Sequence, residues 1–162
     1  MIARRTLFAA LVFAAALPAL AQDLTNPTTA QPKLPTETMV VVTHDNRRLT
    51  FELEMALTQA QQTIGLMFRK TVPEGTGMLF DWGTPRQSQM WMRNTVASLD
   101  MLFIDQNGVI VHIAENTVPQ SLAVIDSGRP VRATVEIAAG SALRMDIRVG
   151  DKVEQRLFGT AK

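Results

Sequence analysis

The sequence predicts a mainly β (α+β) domain over residues 39–158, an antiparallel β-sandwich or barrel-like fold with two short helices. Short β-branched or apolar runs recur along this stretch, separated by turn residues rather than by long helical periods. Between Leu49 and Leu57 the residues Leu49, Phe51, Leu53, Met55 and Leu57 alternate with Thr50, Glu52 and Glu54, the period of a half-buried strand. Helical signals are confined to two brief segments, one after Thr58 and one from about Ser141.

The first strand is the β-branched run Met39–Thr43, closed by the turn residues His44-Asp45-Asn46. After the alternating strand, Thr58-Gln59-Ala60-Gln61 fits a capping box, with Thr58 as N-cap and Gln61 reaching back. Ala60, Ile64, Met67 and Phe68 then lie on one helical face, and Gly65 is placed to end the helix. Pro73–Gly77 reads as a loop. Gly77–Trp82 and Gln89–Arg93 read as two strands about a turn at Gly83-Thr84-Pro85. Leu99–Asp105 and Val109–Glu115 are the strongest strands, followed by Val131–Ala138, the short second helix and a last strand near Lys152–Phe158.

Asp105-Gln106-Asn107-Gly108 joins the two strongest strands and allows two registers. A two-residue turn pairs residues summing to 215 and sets Asp100 opposite Glu115, an unfavourable like-charge pair or an acid site. A type I turn with Gly108 left-handed and a bulge pairs residues summing to 214. That second register gathers Leu99, Met101, Phe103, Val111 and Ile113 on one apolar face, so it is preferred. It makes Asp100 a diagonal neighbour of His112.

The chain opens as a secretory signal does. Arg4 and Arg5 form a positive segment, Leu7–Leu17 is an uncharged apolar run, and Ala19-Leu20-Ala21 places small residues at a cleavage site before Gln22. A membrane span needs about 20 apolar residues, and this run is shorter. Residues 1–21 are therefore expected to be removed, by the general or the twin-arginine route, and the protein to be periplasmic or secreted. Residues 22–38, rich in Thr, Pro, Asn and Gln, are expected to form a flexible leader. Cleavage leaves 14 basic against 15 acidic side chains and moves the formal charge from +1 to −1, which removes the electrostatic case for nucleic-acid binding. The sequence holds no cysteine, so thiol catalysis, thiolate metal sites and lipoprotein anchoring fall away.

Met90-Trp91-Met92-Arg93-Asn94-Thr95 is the most distinctive stretch. An indole offers a flat apolar plate, and a guanidinium and a carboxamide beside it offer directed hydrogen bonds to oxygen-rich ligands. Gly65-Leu66-Met67-Phe68-Arg69, Gly77-Met78-Leu79-Phe80, Trp91–Thr95, Leu99–Asp105 and Val135–Gly140 occur in the order that resembles domain-of-unknown-function family 192. The resemblance covers nearly all of residues 39–154 and implies a compact β-rich domain, often exported, with no catalytic residues to carry over. Gln61–Ile64 stands where that family often has a basic residue, and Ser98 where it often has proline.

Three functions compete. The first is non-enzymatic binding of a polar small molecule or saccharide, or an envelope accessory role, through Trp91, Arg93, Asn94, Asp100 and His112. The second is hydrolysis using His112 oriented by Asp100, for which no serine sits in a nucleophile-elbow motif. The third is periplasmic Cu(I) binding through Met90, Met92 and His112. No catalytic residue, resident metal or cofactor is assigned, and oligomeric state is left open.

Overall fold

The computed structural model describes residues 26–161. The expected signal segment and the start of the leader lie outside the described residues. In chain order the elements are β1 (Thr36–Val42), β2 (Arg48–Ala56), α1 (Gln59–Ile64), β3 (Thr76–Met90), β4 (Leu99–Ile104), β5 (Ile110–Ala114), β6 (Ile125–Ala138), α2 (Ser141–Met145) and β7 (Lys152–Glu154), with a 3₁₀ turn at Arg156–Phe158. The seven strands form a single sheet in the order β5-β4-β6-β3-β2-β1-β7.

The sheet is mixed. β2 and β3 run parallel, pairing Glu52 with Thr76 through Ala56 with Phe80, while the other neighbours are antiparallel. This corrects the expected antiparallel sheet. A parallel pair needs a crossover connection, and the segment carrying α1 between β2 and β3 supplies it. The helix is held as its sequence requires: the Thr58 hydroxyl accepts from the Gln61 backbone N–H, and Gln61 Oε1 accepts from the Thr58 backbone N–H.

The sheet curls rather than stacking on a second one, so the fold is a half-barrel and not the sandwich that was the alternative expectation. Its edges meet at one end. Ile110 donates to the Asp151 carbonyl at 2.9 Å, and Val153 donates to the Gly108 carbonyl at 2.7 Å. Every strand contributes to the enclosed face, among them Val41, Leu53, Leu79, Leu102, Val135 and Val153. Ala142 of α2 and Ile147 plug the interior. The opposite face carries a second buried cluster that includes Met78, Phe80, Met101 and Phe103. Two buried faces explain why β4 is apolar at nearly every position rather than alternating.

Several local expectations meet a different structure. Gly83-Thr84-Pro85 does not reverse the chain: β3 runs on as a 15-residue strand, bulged between Asp81 and Arg86 and again between Gln87 and Gln89, beside an equally extended β6. The bulge is pinned by an ion pair between Asp81 and Arg132. The β4–β5 turn has Gly108 left-handed at φ 74°, and Ile104 pairs with Ile110 as the 214 register requires. A second irregularity at Val111 then shifts the rest to 215, pairing Phe103 with His112 and Met101 with Ala114. The terminal strand stops at Glu154 and passes into the 3₁₀ turn. In the segment expected to be a leader, Thr36–Thr38 belong to β1. Upstream of them Gln31 is buried, its amide donating to the carbonyls of Gln61 and Gly65.

Candidate functional site

The outer face of the sheet is roofed by α1, the turn after it and the segment leading from β3 to β4. Between roof and sheet lies a cavity of about 220 Å³. Its walls include Phe80, Trp82, Met90 and Trp91, its polar rim includes Gln62 and Arg86, and Glu136 lines its floor.

Strand periodicity explains the floor. Along β6, Val135 and Ile137 face the enclosed core, so Thr134 and Glu136 face outward under the roof. Glu136 lies between Met78 of β3 and Met101 of β4 and is only 5 % exposed. Gly77 makes this packing possible, because a Cβ there would stand 2.0 Å from the Glu136 carbonyl oxygen. Among the described residues no hydrogen bond or ion pair reaches the Glu136 carboxyl. Burial is the only influence on its titration and pushes its pKa up to about 8. The group is therefore a neutral acid at neutral pH, with a proton to donate.

The walls are more fully engaged. Phe80 and Trp82 stack with ring centroids 5.8 Å apart, and the Trp82 indole N–H donates to the Thr134 hydroxyl at 3.1 Å. Thr134 in turn lies 3.3 Å from the Ser88 hydroxyl, so this buried polar pair is satisfied. Arg86 places its guanidinium 4.3 Å from the Trp82 ring centre, a cation–π contact. It forms no ion pair among the described residues.

The residues singled out from sequence divide. Trp91, 46 % exposed, stands at the cavity. Arg93 lies over the Trp91 ring at 5.6 Å and donates to Asn26 Oδ1 at 3.2 Å. Asn94 is a turn residue with φ 56°; its amide reaches the Pro27 carbonyl, and its own carbonyl accepts from the Phe68 backbone N–H. Asp100 is fully buried, its carboxylate accepting from the backbone N–H groups of Asn116, Gly140 and Ala142 at 2.8–3.0 Å. It thereby supplies the cap that α2 lacks, since Gly140 offers no side chain.

His112 stacks on Phe103, with centroids 5.4 Å apart. The shift at Val111 put it there, on the face opposite Asp100. The diagonal Asp100–His112 pair is thus corrected, and the hydrolytic reading loses its oriented imidazole. Met92 is fully buried in the outer cluster, so a copper site using Met90, Met92 and His112 would first have to extract it. Among the described residues no group of three His, Cys, Asp or Glu side chains is arranged to hold a metal.

Sequence reasoning missed Glu136, Trp82 and Arg86. A signal was present: Glu136 and Thr134 interrupt a strand whose neighbours on both sides are apolar. A second cavity, of about 390 Å³, lies beside Glu54 and Arg69, but those two charges already pair with each other at 3.0 Å.

The model of a family described as uncharacterized ACR, DUF192, matches residues 40–155. Two solved structures are similar. One, from Sinorhizobium meliloti 1021 and named as a candidate transcription regulator, is 38 % identical with a TM-score of 0.76, covering 79 % of this chain and 99 % of that one. The other, a protein of unknown function from Novosphingobium aromaticivorans, is 35 % identical with a TM-score of 0.73, covering 87 % and 94 % respectively. No curated protein matches the chain.

Proposed function

The chain belongs to the DUF192 family, and from that premise we propose that this member is a non-enzymatic receptacle for a small polar molecule, held in the cleft above Glu136. One observation carries this reading: Glu136, 5 % exposed and without a hydrogen bond or ion pair to the described residues, turns its carboxyl to an open, aromatic-walled cavity. Burying a polar group without a hydrogen bond costs on the order of 1–3 kcal/mol. The Glu136 carboxyl lines the cavity and meets no protein partner among the described residues, so a bound molecule can complete its contacts. Trp91 at the cavity adds an apolar plate suited to the flat face of a sugar or similar ring. Soaking crystals with a library of small polar fragments tests the reading. Fragments gathering over Glu136 support it, whereas fragments bound elsewhere with this cleft empty would sink it.

The charged, apolar and small-residue segments that precede Gln22 support a location for the receptacle outside the cytoplasm. N-terminal sequencing of the protein recovered from the cell envelope should begin at Gln22. Recovery with Met1 intact would remove this placement.

A further inference from the structure

The cleft presents two groups that the described residues leave unanswered. One is the Glu136 carboxyl, which keeps its proton at neutral pH and so is a donor without an acceptor. The other is Arg86, whose guanidinium rests on the Trp82 face and meets no carboxylate among the described residues. A guanidinium stacked on a ring leaves its N–H edge available for an anion. These are the only two charged or acidic side chains lining the cavity; α1 and the segment after β3 face it with uncharged residues such as Gln62, Trp91 and Thr95. No hydrogen bond or ion pair joins the two among the described residues, although both line the cavity.

We infer that the ligand of this cleft is a small organic carboxylate, anchored at its anionic end by Arg86 and accepting a hydrogen bond from Glu136 through an uncharged oxygen. The inference rests on the cleft being a ligand site. With Glu136 neutral, the cavity carries the single positive charge of Arg86, and apolar walls strengthen its preference for an anion. An organic cation would meet that charge with no carboxylate to offset it. The volume of about 220 Å³ equals roughly seven water molecules, which suits a molecule of a few carbons.

Lactate, ethylammonium and glucose serve as anionic, cationic and neutral probes, followed through the Trp82 indole N–H resonance of the folded protein. Lactate should saturate the shift at about pH 6.5 while ethylammonium does not. Its affinity should fall about tenfold by about pH 9, where only about one Glu136 in ten retains its proton. Arg86→Gln, at an exposed position, should weaken lactate binding at least tenfold in a protein that remains folded, as its amide spectrum reads. Glu136→Gln should make the affinities at the two pH values equal. Saturation by ethylammonium or glucose with none by lactate would overturn the inference and leave the receptacle standing. Silence from all three probes would remove both. Lactate binding that ignores both substitutions would also overturn it, by placing the carboxylate elsewhere.

Discussion

At the scale of single residues, the chemistry of the cleft depends on one proton. Glu136 titrates near 8 in the folded protein because burial disfavours its charged form, against an ordinary value of 4.5. Below about 4.5 both folded and unfolded chains hold the proton, and the group contributes no pH dependence. Between about 4.5 and 8 the unfolded chain releases it while the folded chain keeps it, so rising pH favours unfolding by at most about 1.4 kcal/mol per unit. Above about 8 the effect is complete. Glu136→Gln should abolish this decline, so urea denaturation from pH 5 to 9 should show wild type losing stability relative to the variant. Parallel curves would mean that the carboxyl is ionised or solvated. Carboxylates held low by arginines, such as Glu37 and Asp146, act at more acidic pH and do not blur the comparison. Asp100 shows the opposite economy of a buried acid. Its two oxygens meet three backbone N–H groups, which ties it to structure rather than to a ligand.

Among the elements, α2 is the one most dependent on a distant side chain. It is five residues long, too short to persist alone, and its N-terminus is held by Asp100 from β4. Asp100→Ala would leave three backbone donors without their acceptor, at a cost of about 3 kcal/mol or more, read as a lower urea midpoint. Asp100→Asn should cost less, because the amide oxygen can still accept from Asn116 and Gly140 while only the Ala142 contact is lost. A variant as stable as wild type would show that the cap is dispensable. Much at this scale was legible in the sequence: the Thr58 capping box, the left-handed Gly108, and the alternation along β2 as far as Leu53, beyond which Glu54 is buried and Leu57 exposed. Local chemistry sets each of these. What escaped was set by distant partners. The bulge at Val111 answers to packing on β4, and the unbroken β3 answers to the extended β6 beside it. The predicted helix allowed a crossover, but the parallel pairing of β2 with β3 is a tertiary outcome that local sequence does not set. Of the site, Trp91 announced itself by residue type, whereas Glu136 looked like an ordinary polar strand residue until α1 and the β3–β4 segment covered it.

The whole molecule is a curled sheet whose closure carries a consequence for dynamics. The seam joins β5 to the segment before β7 through the Ile110, Gly150 and Val153 amides. Because the enclosed core spans every strand, these amides should exchange with solvent nearly as slowly as those of central β6. Rapid exchange at the seam alone would mean that the sheet stays open there. Closure also bears on the cleft. The enclosed face takes up Val135 and Ile137, which leaves Glu136 no direction but outward, beneath the roof. The central claim, that the fold holds an uncharged acid at the floor of an open cleft, is tested most directly by following the Glu136 side-chain carboxyl carbon by NMR across pH. A neutral Glu136 gives one transition with a midpoint near 8; a midpoint in the ordinary carboxylate range, near about 4, would contradict it.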